Sequence, residues 1–261
     1  MCETHSDVPA GSTNIHQSWV VADPEKWVPQ GFVIIRVDSR GAGRSPGYLE
    51  HWSPRETQDF AACIDWAGVQ PWSNGKVGLS GISYYAVNQW QGAALQPKHL
   101  AAICPGEGFN DFYRELSYQG GIYNSFARHW YDMQILKIQH GYGDRGWASR
   151  ANGELAAGPV TLSDEELAAN RYDLYQSYIS HPLDDDWYTA MTPDLSKVEV
   201  PLLSCANWGG APLHPRGNFN GFTQVSSKHK WLEVHGLEHW SLYYTDYGND
   251  LQMRFFERFL R

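Results

Sequence analysis

Cysteine is scarce and scattered in this chain. Its 261 residues include four, Cys2, Cys63, Cys104 and Cys205, with no CxxC pair among them. A disulfide framework or a thiolate zinc centre needs a tighter pattern, so the last three read as small buried apolar residues. Basic residues are also in deficit. Twenty Lys and Arg face 29 Asp and Glu, for a formal net charge of −9. Nucleic acid and anionic lipid both demand the opposite balance, so neither is expected as a partner. No apolar run reaches the length of a membrane span. Residues 1–7 are polar and acidic, unlike a secretory signal, and a cytoplasmic protein is expected. There is no internal repeat and no low-complexity tract. What the chain has in quantity is aromatic: 12 Trp, 15 Tyr and 10 Phe. Such a load implies a thick core together with a pocket or interface lined by rings. The length suits one large α/β domain or two small ones.

The strongest early element is residues 32–38, FVIIRVD, which is β-branched and nearly continuous. It predicts a strand buried on both faces. Ser53, Pro54 and Glu56 then spell a helix start, with Ser53 as cap, Pro54 at the first position and Glu56 closing a capping box. Phe60, Ile64 and Ala67 follow on one helical face. Residues 76–80 predict a strand, residues 84–95 a helix and residues 100–104 another strand. This alternation predicts right-handed crossovers and a parallel sheet. Residues 109–195 break the rhythm and read as a helical insertion. Ser163 and Glu166 form a second capping box there, opening a helix to about Tyr178. Tyr123, Phe126, Trp130 and Tyr131 read either as the core of that insertion or as a wall facing substrate. Residues 201–206 and 230–235 return to strand. From Asp246 an amphipathic helix carries Leu251, Phe255 and Phe259 in one row. The expected organisation is a core of residues 1–108 and 196–261 with a lid of residues 109–195.

The segment that carries chemistry is Gly78-Leu79-Ser80-Gly81-Ile82-Ser83-Tyr84-Tyr85, set between a strand and a helix. Gly81-x-Ser83 matches the first half of the G-x-S-x-G nucleophile elbow, although Tyr85 stands in the place of the second glycine. Such a turn lifts a serine hydroxyl above the sheet and aims backbone N–H groups at a developing oxyanion. The Tyr84 N–H is the expected donor. Ser83 needs a base, and His239 follows the last strand, as the hydrolase chain order requires. Both would stand at the C-terminal edge of a parallel sheet, where sites form.

Taken with Val37-Asp38-Ser39-Arg40-Gly41-Ala42-Gly43-Arg44-Ser45, Asp65-Trp66, residues 106–114 (GEGFNDFYR) and residues 235–240 (HGLEHW), these motifs resemble one branch of the α/β-hydrolases. It is the branch of cocaine esterase and the X-Pro dipeptidyl peptidases, also called CocE/NonD. The likeness runs from about Trp27 to the C-terminus. It implies an α/β-hydrolase fold, a mostly parallel sheet flanked by helices with a helical lid. It further implies a serine hydrolase with Ser83 as nucleophile and His239 as general base. The substrate would be a small-molecule ester or amide, with no cofactor. In that branch the triad acid follows the strand after the lid, where this chain reads Ala206-Asn207-Trp208-Gly209-Gly210 without a carboxylate. Glu107, just past the third strand, is the preferred substitute, ahead of Asn207 and Glu238. Asp111 reads as a lid anchor.

The branch also has strands before residue 32, one of them central in the sheet. The loop after that strand supplies a second oxyanion donor, often a tyrosine hydroxyl. Residues 1–31 show no obvious strand for this, and the jelly-roll domain common in the branch is lacking. The chain therefore reads as a shortened member, a fragment of a longer gene product or a fold with a re-paired sheet, and a gapped sheet would expose unpaired backbone and favour homo-oligomers. A catalytically silent or non-hydrolytic protein that binds a small metabolite is the alternative. Other motifs are weaker. His235-x-x-Glu238-His239 spells an inverted zinc-protease motif, but it lies in a strand and loop rather than on a helix, so no metal is expected. Gly41-Ala42-Gly43 lacks the third glycine of a dinucleotide loop. Asp184, Asp185 and Asp186 read as a solvated acidic turn.

Overall fold

A computed structural model describes residues 12–18, 20–210, 213–236 and 238–261. Cys2 and Leu237 lie outside them; Cys63, Cys104 and Cys205 are free thiols.

Four strands form the central sheet: β1 (Val77–Ile82), β2 (Leu100–Gly106), β3 (Leu202–Asn207) and β4 (Lys230–His235). Their order in space is their order in sequence, and every pair is parallel. Helix α1 (Pro54–Gly68) precedes β1, and α2 (Tyr84–Ala94) follows it. Helix α3 (Pro215–Gln224) joins β3 to β4, and α4 (Asp246–Leu260) closes the chain.

Each face of the sheet is covered, as alternation along the strands requires. On one face Ile103 and Leu202 meet Ile64 of α1, Trp90 of α2 and Val225 beyond α3. Trp90 is fully buried, and α3 comes so close that a Cβ on Gly221 would lie 2.4 Å from its ring. On the other face Ala102, Cys104 and Leu203 meet Phe255 and Phe256 of α4. The expected row of Leu251, Phe255 and Phe259 is the inner face of that helix.

Residues 32–38 depart from expectation. They form no strand and pair with none among the described residues. Phe32 and Ile34 pack against the α4 side, whereas Val33, Ile35 and Val37 are 61%, 40% and 54% exposed. The physical reason is the absence, among the described residues, of a strand bridging this segment to β1. Instead Val20 O accepts from Ile82 N at 3.0 Å, and the Arg36 guanidinium donates to His16 O, Ser18 Oγ and Ala22 O.

The insertion between β2 and β3 is also less regular than expected. The Ser163 capping box forms, but its helix stops at Ala169, and Asp173 caps a separate one, Leu174–Ser180. A π-type turn at Phe112–Ser117 and a two-stranded hairpin of Tyr118–Gln119 with Ile122–Tyr123 make up its start. Its core gathers Trp52, Phe109, Phe112, Trp130, Tyr131 and Tyr178. Trp130 and Tyr131 are thus core residues, while Phe126 is 42% exposed. Asp184 is ion-paired to Arg114, and Asp185 is hydrogen-bonded to His181 Nδ1.

Candidate active site

Ser83 ends β1 and precedes α2 with φ 59 and ψ −115, the left-handed backbone region that costs a non-glycine residue free energy. Its N–H extends the sheet ladder to Gly106 O at 2.9 Å, and its carbonyl accepts from Ala86 and Val87, starting the helix. The turn is tight because Gly81 has no side chain: a Cβ there would lie 2.5 Å from that of Tyr85. Tyr84 is the first residue of α2, so its N–H has no acceptor within the helix. The Tyr84 hydroxyl turns away and donates to both oxygens of Glu56, at 2.8 and 2.7 Å. Glu56 also accepts from Trp52 N at 2.6 Å, so the expected capping box is only half made: Ser53 caps the helix, but Glu56 points inward. Burial raises the Glu56 pKa, against the pull of the Tyr84 and Trp52 hydrogen bonds.

Glu107 directly follows β2. It too has positive φ, 50°, and its N–H bonds to Cys205 O at 2.8 Å. Its carboxylate is 3% exposed and is held from three sides. His239 Nδ1 donates to Oε2 at 2.5 Å, His235 Nε2 to Oε1 at 3.3 Å and Asn207 Nδ2 to Oε1 at 3.3 Å. Since a carboxylate only accepts, this bond puts a proton on His239 Nδ1. His235 extends the chain, because its Nδ1 donates to Glu233 Oε2 at 2.9 Å. Burial pulls the His235 pKa down, but its hydrogen bonds to Glu107 and Glu233 outweigh this and raise it to about 9. His235 is therefore an imidazolium at neutral pH, clamped between two carboxylates.

The hydrogen bond that the Ser83 hydroxyl makes is to a histidine that sequence reasoning missed. His214 Nε2 lies 3.2 Å from Ser83 Oγ. His214 is 4% exposed and sits between two parallel rings, with centroids 5.9 Å from Phe109 and 5.0 Å from His239. Its Nδ1 has no partner among the described residues. Burial, and secondarily the charge of His239, hold its pKa well below the ordinary histidine value. The following Pro215 starts α3 and fixes the ring's place at the C-terminal edge of β3. The only signal for it in sequence is topological: a histidine before a proline on the loop after a parallel strand. Gly210 lets this loop close in, since a Cβ there would stand 3.3 Å from Glu107 Oε2.

Of the expected site residues, the structure thus brings Glu107 onto His239 and sets Ser83 on the strained turn. Among the described residues Ser83 makes no hydrogen bond to His239; it bonds to His214, whose ring stacks on that of His239. Asn207 supports Glu107, not His239. Glu238 accepts from the Ser241 hydroxyl, and Asp111 caps the Phe112–Ser117 turn. His235 and His239 both turn to Glu107, and no metal-binding cluster occurs among the described residues.

The family model for X-Pro dipeptidyl-peptidase (S15 family) matches residues 6–241. A putative serine esterase of Mycobacterium bovis is 30% identical over 176 residues, covering 62% of this chain and 27% of that protein. The cocaine esterase of a Rhodococcus species is 33% identical over 97 residues, 37% of this chain and 17% of its own length. Among solved structures, a CocE/NonD family hydrolase of Staphylococcus aureus superposes with a TM-score of 0.79 at 37% identity. That match covers 94% of this chain and 39% of the other. The fold is that of the α/β-hydrolases. The chain spans about a quarter of the length of the curated relatives it first matches, 27%.

Proposed function

Because this chain belongs to the X-Pro dipeptidyl-peptidase (S15) family, we propose that it is a serine hydrolase cleaving an ester or amide bond of a small molecule. The observation that carries this is the half-buried Ser83 on a strained strand-to-helix turn, bonded to His214, whose ring stacks on a His239 held by the buried Glu107. In this reading Ser83 Oγ attacks the acyl carbon while its proton passes to Nε2 of His239. Glu107 holds the tautomer and balances the imidazolium that forms. His239 returns the proton to the leaving group, and a water molecule then releases the acyl group by the same route. The Tyr84 N–H faces the oxyanion. An ester is the favoured substrate, since the relatives include proteins described as serine esterases. Residues 109–195 act as the lid, their Trp130 ring stacking on Tyr84 at 6.0 Å. A cytoplasmic site of action is supported by the three free cysteines, and cell fractionation tests it.

The test is labelling by a fluorophosphonate probe together with hydrolysis of an activated ester. Wild type is expected to label, and Ser83→Ala and His239→Ala to lose labelling while keeping their melting transitions. Folded wild type that neither labels nor turns over ester would refute the hydrolase and leave a ligand-binding protein.

A further inference from the structure

We propose that His214 is a catalytic residue of a kind the triad does not include: a neutral imidazole whose Nε2–H, with the Tyr84 N–H, holds the oxyanion. This rests on the serine-hydrolase reading above.

The argument begins with the tautomer. Buried N–H groups without an acceptor are rarer and costlier than bare acceptors. His214 Nδ1 is buried without a partner among the described residues, while Nε2 lies 3.2 Å from Ser83 Oγ. Placing the proton on Nδ1 would orphan a donor. Placing it on Nε2 spends it on Ser83 and leaves only a bare lone pair at Nδ1. His214 is therefore the donor and Ser83 Oγ the acceptor. A hydroxyl can accept and donate at once, so the Ser83 proton stays free for His239.

Charge points the same way. Among the described residues no carboxylate is hydrogen-bonded or ion-paired to His214; its ring stacks on those of Phe109 and His239. A proton taken up there would be an uncompensated cation in a buried site, beside a second imidazole that must itself become positive. Burial accordingly keeps this ring neutral. His239 has Glu107 for that purpose and His214 has nothing. A ring that resists protonation is a poor base but a good fixed donor, already oriented before charge develops. After attack the negative oxygen sits on the carbon bonded to Oγ, next to where Nε2 already points. The stacking of His214 between two rings and the Pro215 start of α3 keep that donor in place.

The experiment compares wild type, His214→Gln and His214→Phe in steady-state hydrolysis of p-nitrophenyl butyrate across pH, with melting curves and fluorophosphonate labelling. Glutamine can place an amide N–H near the position of Nε2, but it cannot act as a base. Phenylalanine keeps the stack and removes the donor. The expected result is a fall of about 10²–10³ in kcat for His214→Phe, typical of one lost oxyanion donor. His214→Gln should stay within about tenfold of wild type, with the acidic limb of its pH profile unmoved. If His214→Phe does not fold, His214→Asn replaces it; its amide stops short of the oxyanion and should share the loss. The proposal is overturned if His214→Gln is as inactive as His214→Phe, if its acidic limb disappears, or if His214→Phe keeps the wild-type rate. Wild type that neither labels nor hydrolyses the ester overturns the hydrolase reading and this one with it; active wild type with unaffected variants overturns this one alone.

Discussion

Substituting His235 by glutamine should change how folding stability depends on pH, and the size of the change follows from the ring's surroundings. Both ring nitrogens face carboxylates, Glu233 at 2.9 Å and Glu107 at 3.3 Å, and the side chain is only 9% exposed. Its pKa rises from 6.5 to about 9, because those hydrogen bonds overcome the effect of burial. A raised folded-state value means the folded protein binds this proton more tightly than the unfolded chain does. The resulting stability is fully present below about pH 6.5 and is lost as pH climbs through about 9. At about 1.4 kcal/mol per pH unit, that interval amounts to about 3 kcal/mol. Glutamine can still donate to one carboxylate but carries no titrating charge. Urea unfolding of wild type and His235→Gln, in steps from about pH 6 to about pH 10, isolates the contribution. The difference between the two proteins should shrink by about 3 kcal/mol across that range, most steeply between about pH 7 and pH 9. A constant difference, or one that grows with pH, would refute the reasoning: His235 would then not be a cation, and the clamp on Glu107 would not be electrostatic.

Glu107→Gln should leave the protein folded and lower kcat on the order of 10³–10⁴-fold, because an amide no longer fixes the His239 tautomer or balances its charge; ester turnover on protein of normal melting behaviour checks this. Trp90→Ala should cost about 3–5 kcal/mol in urea unfolding, since the ring is fully buried between the sheet and α3 and its Nε1 donates to Gly108 O at 3.2 Å. Tyr84→Phe should cost about 1–3 kcal/mol by removing both hydroxyl contacts to the buried Glu56. Its penalty should grow as pH rises above the ordinary carboxylate range, where Glu56 in the unfolded chain is ionised and the folded carboxyl, already raised by burial, has lost a stabilising donor. Unfolding curves at about pH 4 and about pH 7 separate the two effects.

What was legible in sequence was what local physics decides. Strands β1 to β4 are short apolar runs bounded by turn residues, and α4 carries its apolar row at helical spacing. The elbow could be read because a strained serine between a strand and a helix needs the small Gly81 before it. Glu107 and His239 followed from topology, since parallel strands deliver their C-terminal ends to one edge. What could not be read depends on partners distant in the chain. Residues 32–38 have the composition of a buried strand, yet composition does not supply a neighbour to pair with. Glu56 sits where a capping box would use it, yet a tyrosine 28 residues away takes its carboxylate. In the insertion, Asp173 offers a second helix cap that competes with continuation from the Ser163 box. His214 had no motif, because its place is set by rings from two other segments.

Two strained non-glycine residues face each other across this site: Ser83 with φ 59 at the end of β1 and Glu107 with φ 50 at the end of β2. Each continues the sheet ladder by one hydrogen bond before turning away, Ser83 N to Gly106 O and Glu107 N to Cys205 O. The strain is thus borne by the strands, which the packed core on both faces holds in register. A loop would relax such conformations; a strand end in a parallel sheet cannot without breaking its ladder. The same register sets the Glu107 carboxylate opposite the ends of β3 and β4, where Asn207, His235 and His239 reach it. Destabilising the sheet even modestly should therefore cost activity before it costs the fold, because the separation between the serine and the acid is a property of strand register rather than of any side chain in the pocket.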